Sequence, residues 1–314
     1  MSEPAQNDGV YVTVQQLNQL RSAARGYSLL PGQPARSVLT GKHGSRLRGR
    51  GLNFEELRQY FPGDDVRTID WHVTARTRKP YIRVYSEERD RPLLLIVDQR
   101  PGMFFGSRRA MKSVAAAEAA ALAAWRSLSV GDRVGGIVIG PAGLVEIRPH
   151  RSESRVRQLL GAIADANQQL RADSTSTVTL NQALERAARL VPHDGLVCVI
   201  SDLSDADQES IRHMTTLQAH NDVFMAFVFD PLEGEIPAAG RLVAAAGTQR
   251  LEFDSSSRGL RDRYRDEFEK RLARLKDLSA RRQVPWLAIS AADDVVHQLR
   301  EGLGGVASRR GRPK

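Results

Sequence analysis

The sequence predicts a doubly wound α/β fold, a mainly parallel sheet covered by helices on both faces, with a β-rich extension ahead of it. Three observations carry that reading. From Leu93 to Leu299 short apolar runs alternate with stretches of helical period, the pattern of βαβ units. Leu93–Val97 and Leu196–Ile200 are continuous apolar runs, which strands buried on both faces require. A chain of 314 residues, 41% hydrophobic and 26% charged, is long enough for a sizeable core and unlike a disordered or disulfide-knit polypeptide.

Taken in order, residues 1–40 hold a helical stretch within Val12–Arg25. Residues 41–90 are rich in Gly, Arg and Asp, and alternate in Val66–Val73 and Tyr81–Tyr85 around Arg78-Lys79-Pro80. They read as a β-rich extension. Leu93–Val97 is the first strand of the main domain, residues 91–302, and Ser107–Leu128, Ala-rich and free of Gly and Pro, is a helix opened by Ser107. Arg133–Gly140 and Leu144–Arg148 flank Pro141-Ala142-Gly143, a turn too short for a parallel crossover. The second of these strands therefore runs antiparallel at a sheet edge.

Val156, Leu159, Leu160, Ile163, Asn167 and Leu170 mark one face of a helix, and Leu180–Leu190 forms another. Leu196–Ile200 is a buried strand, Asp205–Ala219 a helix and Val223–Phe229 a strand. Gly240–Phe253 reads as an inserted hairpin. Leu260, Tyr264, Phe268, Leu272, Leu275 and Leu278 line a long charged helix, followed by a strand at Val284–Ile289 and a helix at Asp294–Leu299. The remainder, 303–314, is a basic tail that reads as disordered.

The net charge of +9 is unevenly placed. Residues 1–40 carry +1, 41–90 carry +3, 91–302 carry +1, and 303–314 alone carry +4. Nucleic-acid binders concentrate Lys and Arg on a patch or stripe, and the large central segment has none to spare. Cys198, the single cysteine, lies in an apolar run and reads as a small buried hydrophobe. The N-terminus lacks a signal-peptide pattern and no run of about 18 apolar residues occurs, so a soluble cytoplasmic protein is expected.

In open α/β sheets ligands bind beyond the carboxyl ends of strands. Asp98 closes the first strand of the main domain, and Asp202 follows Ile200-Ser201. Thr179 opens the Leu180 helix. Two carboxylates and a hydroxyl at strand ends are oxygen ligands suited to Mg²⁺. Equally, Ser107, Thr179 and Asp205 are good helix N-caps, each worth about 1 kcal/mol.

The run Gly49-Arg50-Gly51-Leu52-Asn53-Phe54-Glu55-Glu56-Leu57-Arg58-Gln59-Tyr60-Phe61-Pro62-Gly63-Asp64-Asp65-Val66-Arg67-Thr68-Ile69-Asp70-Trp71 continues into Thr74-Ala75-Arg76, Glu87-Glu88-Arg89 and Leu93–Asp98. It resembles the bacterial domain-of-unknown-function 58 family, whose central part is similar to a von Willebrand factor type A domain. Weaker matches at Thr179-Leu180 and Ser201-Asp202 extend the resemblance over most of 41–302. It implies strand order 3-2-1-4-5-6 with strand 3 antiparallel, a partnership with MoxR-type AAA+ ATPases and other type A-domain proteins, and no established reaction.

The type A metal-ion-dependent adhesion motif is Asp-x-Ser-x-Ser, a Thr on a later loop and an Asp after strand 4. Asp98, Thr179 and Asp202 match its Asp and Thr positions, whereas Arg100 and Gly102 replace both serines. An Asp pair without a cation repels itself, and Arg brings a permanent charge with forked donors. Two alternatives follow: the Arg100 guanidinium bridges Asp98 and Asp202 in the metal's place, or it swings to solvent. No metal or cofactor is expected, Mg²⁺ at Asp98, Thr179 and Asp202 being the exception to test. An Arg in the crevice also suggests that an acidic partner residue contacts Arg100.

The residues carrying the family motif, Arg50, Glu55, Arg58, Tyr60, Asp64, Asp65, Arg67, Asp70, Trp71, Arg76 and Glu88, form a second constellation. The expectation is an ion-paired network of Asp64, Arg67, Asp70 and Arg76 over a buried Trp71, holding the extension on the core; the functional alternative is a partner-binding face. Phosphate-binding, nucleophile-elbow and zinc motifs are missing. A non-enzymatic adaptor or assembly factor follows as the leading function. The alternatives are a nucleic-acid-binding protein using the Arg-rich extension and tail, and, more weakly, a metal-dependent hydrolase using the acidic residues of 41–90.

Overall fold

A computed structural model describes residues 9–24, 52–62, 64–87, 91–246, 249–282 and 284–304. The chain divides into a larger unit, Met1–Gln33 with Arg91–Lys314, and a smaller one, Pro34–Asp90. The small unit is thus an insertion into the larger. The segment read as a separate N-terminal piece belongs, in its described part, to the main body.

That part is an arm ending in helix α1, Val14–Gln19, which opens with a capping box between Thr13 and Gln16 and buries Leu17. In the small unit, strand β1 (Leu52–Gln59) pairs antiparallel with β2 (Tyr81–Glu87), with a bulge between Phe54 and Glu56. Between them the alternation of Val66–Val73 does not make a strand. Val66–Thr68 is a 3-10 turn and Trp71–Thr77 is helix α2, because Asp65 and Asp70 act as N-caps: Asp70 accepts from the backbone N–H groups of His72 and Val73. Only a single bridge, Ile69 to Ile82, follows the strand expectation.

The large unit follows the pattern read from its apolar runs. Its sheet contains β3 (Pro92–Asp98), β4 (Arg133–Ile139), β5 (Leu144–His150), β6 (Leu196–Ser201), β7 (Asp222–Phe229) and β10 (Trp286–Ser290). In space they run β10-β7-β6-β3-β4-β5, parallel except for β5. Counted within this sheet, that is the order 3-2-1-4-5-6 with strand 3 antiparallel. The fold is type A-like, an α/β sheet with the topology the resemblance implied. A hairpin, β8 (Arg241–Ala246) and β9 (Gln249–Asp254), follows the short helix α7 (Pro231–Gly234).

Two apolar layers sandwich the sheet. Leu93, Leu95 and Val97 of β3 join the layer of α1, α3 (Lys112–Ser129), α4 (Glu153–Gln168) and α9 (Val295–Gly304). Their neighbours Leu94 and Ile96 join the layer of α5 (Leu180–Leu190), α6 (Gln208–Gln218) and α8 (Arg258–Arg282). Helix α4 lies so close that a Cβ on Gly136 of β4 would come within 2.7 Å of Leu159 Cδ1. Fully burying a Leu, Ile or Val contributes about 1.5–3 kcal/mol, so these layers carry most of the favourable energy of folding.

Two helices start later than the sequence suggests. The helix expected from Ser107 begins at Lys112, since the backbone before it is used elsewhere: Ser107 N donates to Asp230, Met111 N to Gly9 O at 2.7 Å, and Lys112 N to Phe105 O. The helix expected from Asp205 begins at Gln208 behind an Asp207 cap. Asp205 is spent on another task.

Candidate functional site

The carboxyl ends of β3, β6 and β7 form a crest that carries Asp98, Ser201 with Asp202, and Asp230. All four are buried. Asp98 is gripped by Arg100, two residues on: Arg100 Nε lies 2.9 Å from Oδ1, and Nη2 lies 2.6 Å from Oδ2. The backbone N–H of Arg100 also donates to Oδ1 at 3.0 Å, and Ser201 Oγ donates to Oδ2 at 2.7 Å. Strands β3 and β6 are thereby tied together at their ends.

The other edge of the guanidinium does not reach Asp202. It pairs with Asp205, Nη2 lying 2.8 Å from Oδ1 and Nη1 bonded to Oδ2, while Nη1 also donates to Val178 O at 3.4 Å. The expectation that Arg100 bridges Asp98 and Asp202 is corrected: the bridge runs from Asp98 to Asp205. Asp205 also accepts from Leu180 N at 3.1 Å, which ties the bridge to the start of α5. Arginine has five N–H donors and all five are occupied here. An acidic partner residue cannot contact Arg100 without displacing Asp205, so that expectation does not fit the geometry either.

Asp202 has a cation of its own. Lys112, the first residue of α3, places Nζ 2.6 Å from Asp202 Oδ2 and 2.9 Å from Glu233 Oε1, with its side chain only 2% exposed. The other oxygen of Asp202 accepts from Ser204 N at 3.0 Å. Glu233 closes a capping box on α7, accepting from Asp230 N at 3.0 Å, and Arg271 of α8 lies 3.5 Å from its other oxygen.

Protonation follows from these contacts. Burial pushes the Asp202 carboxyl up, but the charge and hydrogen bond of Lys112 outweigh it and hold the group below the usual carboxylate range. Burial likewise pushes the Lys112 ammonium down, and Asp202 and Glu233 more than reverse it. Burial opposes the Arg100 charge too, with Asp98 and Asp205 reversing that and keeping the group firmly cationic. Asp205 is held below its ordinary value because Arg100 outweighs its partial burial.

Mg²⁺ does not fit this donor set. Asp98 is saturated by Arg100 and Ser201, and at Asp202 the Lys112 ammonium already stands where a cation would bind. Thr179 Oγ1 accepts from Gln182 N at 3.3 Å as the N-cap of α5, the local role the sequence allowed for it. Among the described residues no group of three or more His, Cys, Asp or Glu is placed to hold a metal. Gly102 leaves room above Asp202, its added Cβ lying 3.9 Å from Oδ2. A crevice of about 340 Å³ opens beside the bridge, lined by Arg100, Gly102, Ser176, Thr177, Ser204 and Asp205.

Sequence reasoning placed Asp98, Arg100, Gly102, Thr179, Ser201 and Asp202 at one site but missed Lys112 and Glu233, and read Asp205 only as a helix cap. Lys112 had a signal: it is the one charge in Met111–Ala117, a stretch otherwise apolar or small, at the head of a helix that buries nearly every side chain. Behind the crest a second polar chain runs inward. Gln99 donates to Ser113 O at 2.8 Å and accepts from Asn167 Nδ2 at 3.0 Å, and Asn167 Oδ1 accepts from Val12 N in the N-terminal arm at 2.9 Å.

In the small unit Arg58 and Asp64 form a bidentate pair, with contacts of 2.7 and 2.9 Å, and the hydrogen bond from Arg58 holds the Asp64 carboxyl below its usual range. Asp65 caps the 3-10 turn and Asp70, 7% exposed, caps α2. Tyr60 N donates to Pro80 O. Arg67 and Arg76 are exposed, and Trp71 is 69% exposed. Trp71 is therefore not a buried residue beneath a network, and of the two carboxylates expected in that network Asp70 serves as a helix cap while Asp64 pairs with Arg58. Glu55 falls at the β1 bulge, while Arg50 and Glu88 lie outside the described residues, as does the basic tail. No described helix is long and apolar enough to cross a membrane.

The uncharacterized protein Rv1480 of Mycobacterium tuberculosis (strain H37Rv) is 30% identical over 248 residues, 78% of this chain and 76% of that protein. The uncharacterized protein Mb1516 of Mycobacterium bovis matches equally. Among solved structures, the conserved hypothetical protein BatB from Bacteroides thetaiotaomicron is similar at 11% identity with a TM-score of 0.43, covering 69% of this chain and 98% of that one. The SpRpn10 VWA domain is similar at 9% identity and a TM-score of 0.40, covering 71% and 99%. The family model described as "Protein of unknown function DUF58" matches residues 56–274, and the chain belongs to that family.

Proposed function

We propose that the protein is a non-enzymatic adaptor or assembly factor whose type A-like domain binds protein partners at its strand-end crest, acting in the cytoplasm with a MoxR-type AAA+ ATPase in the maturation or remodelling of protein complexes. The observation that supports this reading most is that the two crest carboxylates standing at the adhesion-motif Asp positions are each paired with a cation of the chain itself, Asp98 with Arg100 and Asp202 with Lys112. A type A domain that relies on a metal makes and loses its recognition site with the ion. Here the crest is held in one shape by permanent charges, which suits a constitutive docking surface.

Partner groups would enter the crevice beside Arg100, where Ser176, Thr177 and Ser204 line an opening of about 340 Å³. The test is affinity purification from the native host with wild-type protein and with Thr177→Trp, which fills the crevice from an exposed position and leaves the ion pairs untouched. An AAA+ ATPase recovered with the wild type and depleted with the variant is the expected result. Equal recovery with both, or no AAA+ ATPase with either, would overturn the reading.

A further inference from the structure

The crest leaves unexplained the part of the chain with the longest family-specific motif. In the small unit, the carboxylates of Asp64, Asp65 and Asp70 each accept hydrogen bonds from within the unit. Asp64 binds Arg58 and Phe61 N, Asp65 binds Arg67 N, and Asp70 binds the first turn of α2. The cations are placed the other way. Arg67, Arg76, Arg78 and Lys79 are all exposed, and among the described residues no carboxylate is set against them.

The same unit exposes large apolar side chains. Trp71 is 69%, Phe61 61%, Val66 58% and Leu57 38% exposed. Single exposed apolar residues need no explanation, but several within one small unit, accompanied by Arg, have the composition of a binding surface, in which Trp, Phe and Arg are enriched. Arg58 already lies over the Phe61 ring, 5.9 Å from its centroid, so one aromatic is held by stacking while presenting its free face.

We propose that the small unit is an interaction surface for an acidic segment of a partner protein that carries an apolar anchor residue. The exposed Arg and Lys side chains attract and orient the acidic segment, and Trp71 and Phe61 take the anchor. Charge complementarity decides the sign of the partner, since Asp64, Asp65 and Asp70 are engaged by Arg58 and by caps while the four cations stand exposed. The exposed aliphatics Val66 and Leu57 favour a protein over a nucleic acid, whose phosphates and base faces give aliphatic side chains little to bury against. This surface is distinct from the crest.

The test uses the full-length protein and a synthetic peptide of alternating Glu and Leu with a central Phe, followed by fluorescence anisotropy at low and high salt. Binding is expected at low salt, weakened as salt screens the charges. It should weaken by about tenfold in Trp71→Ala, as for an aromatic hot spot, and comparably in the charge-reversed Arg76→Glu/Lys79→Glu double variant. Because these side chains are exposed, melting temperatures should match the wild type, and Thr177→Trp at the crest should bind the peptide normally. Absence of binding, equal binding by both variants, preferential binding of a single-stranded oligonucleotide, or dimerisation abolished by Trp71→Ala would each overturn the proposal, the last assigning the surface to a second copy of the chain.

Discussion

Lys112 Nζ sits 2.6 Å from Asp202 Oδ2, with the two side chains only 2% and 3% exposed. A pair this deep contributes little net stability, because withdrawing two ions from water costs several kcal/mol each. Its significance is that neither charge can be removed alone. Lys112→Met should destabilise the fold by about 3–5 kcal/mol, leaving Asp202 buried without a cation and Glu233 with Arg271 alone. Denaturant unfolding measures this, and the double variant Lys112→Met/Asp202→Asn should recover much of the loss. An unchanged midpoint for the single variant would contradict the pairing.

The pH dependence has two limbs. Asp202 and Asp205 have carboxyls held below the ordinary 3.8, so their contribution is present above that value and disappears as pH falls through their folded values. Lys112 is held above its ordinary 10.5, so its contribution is present below that value and disappears as pH rises through its folded value. Unfolding midpoints measured against pH should show a plateau at neutral pH and a fall at both extremes, and Lys112→Met should lack the Lys112 part of the alkaline limb.

Arg100→Lys should not preserve the crest. An ammonium cannot make the forked contacts to Asp98 and Asp205 together, and hydrogen bonds to charged groups contribute about 1.5–3 kcal/mol each. A lowered melting temperature that added Mg²⁺ does not restore is the expected outcome. Restoration by Mg²⁺ would show that Asp98 and Asp202 still make a metal site once the guanidinium is gone.

In the small unit, Asp70→Ala removes a cap and should cost about 1 kcal/mol. Trp71→Ala, at an exposed position, should change stability by less than about 0.5 kcal/mol. Comparing the two by thermal denaturation separates the capping role from the buried network the sequence suggested.

Burial pushes the Cys198 thiol up to about 12. The native protein should resist maleimide and react only on unfolding. Mass spectrometry of samples labelled with and without urea reads this directly.

The sheet was legible because its strands are continuous apolar runs and because a short Pro-Ala-Gly turn dictates one antiparallel edge. Helix starts were less legible, since Ser107 and Asp205 look like caps while their polar groups are committed to distant partners. The crest was half legible. Asp98 and Arg100 lie two residues apart, so local spacing finds them, but Lys112 meets Asp202 across 90 residues and Glu233 across 121. Only the three-dimensional course of the chain brings those together. Val66–Val73 misled because alternation in a short stretch does not reveal whether Asp65 and Asp70 will cap turns.

The N-terminal arm gives its carbonyl at Gly9 to Met111 N and its amide at Val12 to Asn167, so it is bound to the main body by contacts far from its own covalent continuation. A chain cut once between residues 24 and 52 should therefore not fall into halves on native gel filtration. The arm would persist as a tightly held peptide, and a main body expressed without it should capture the added peptide in trans.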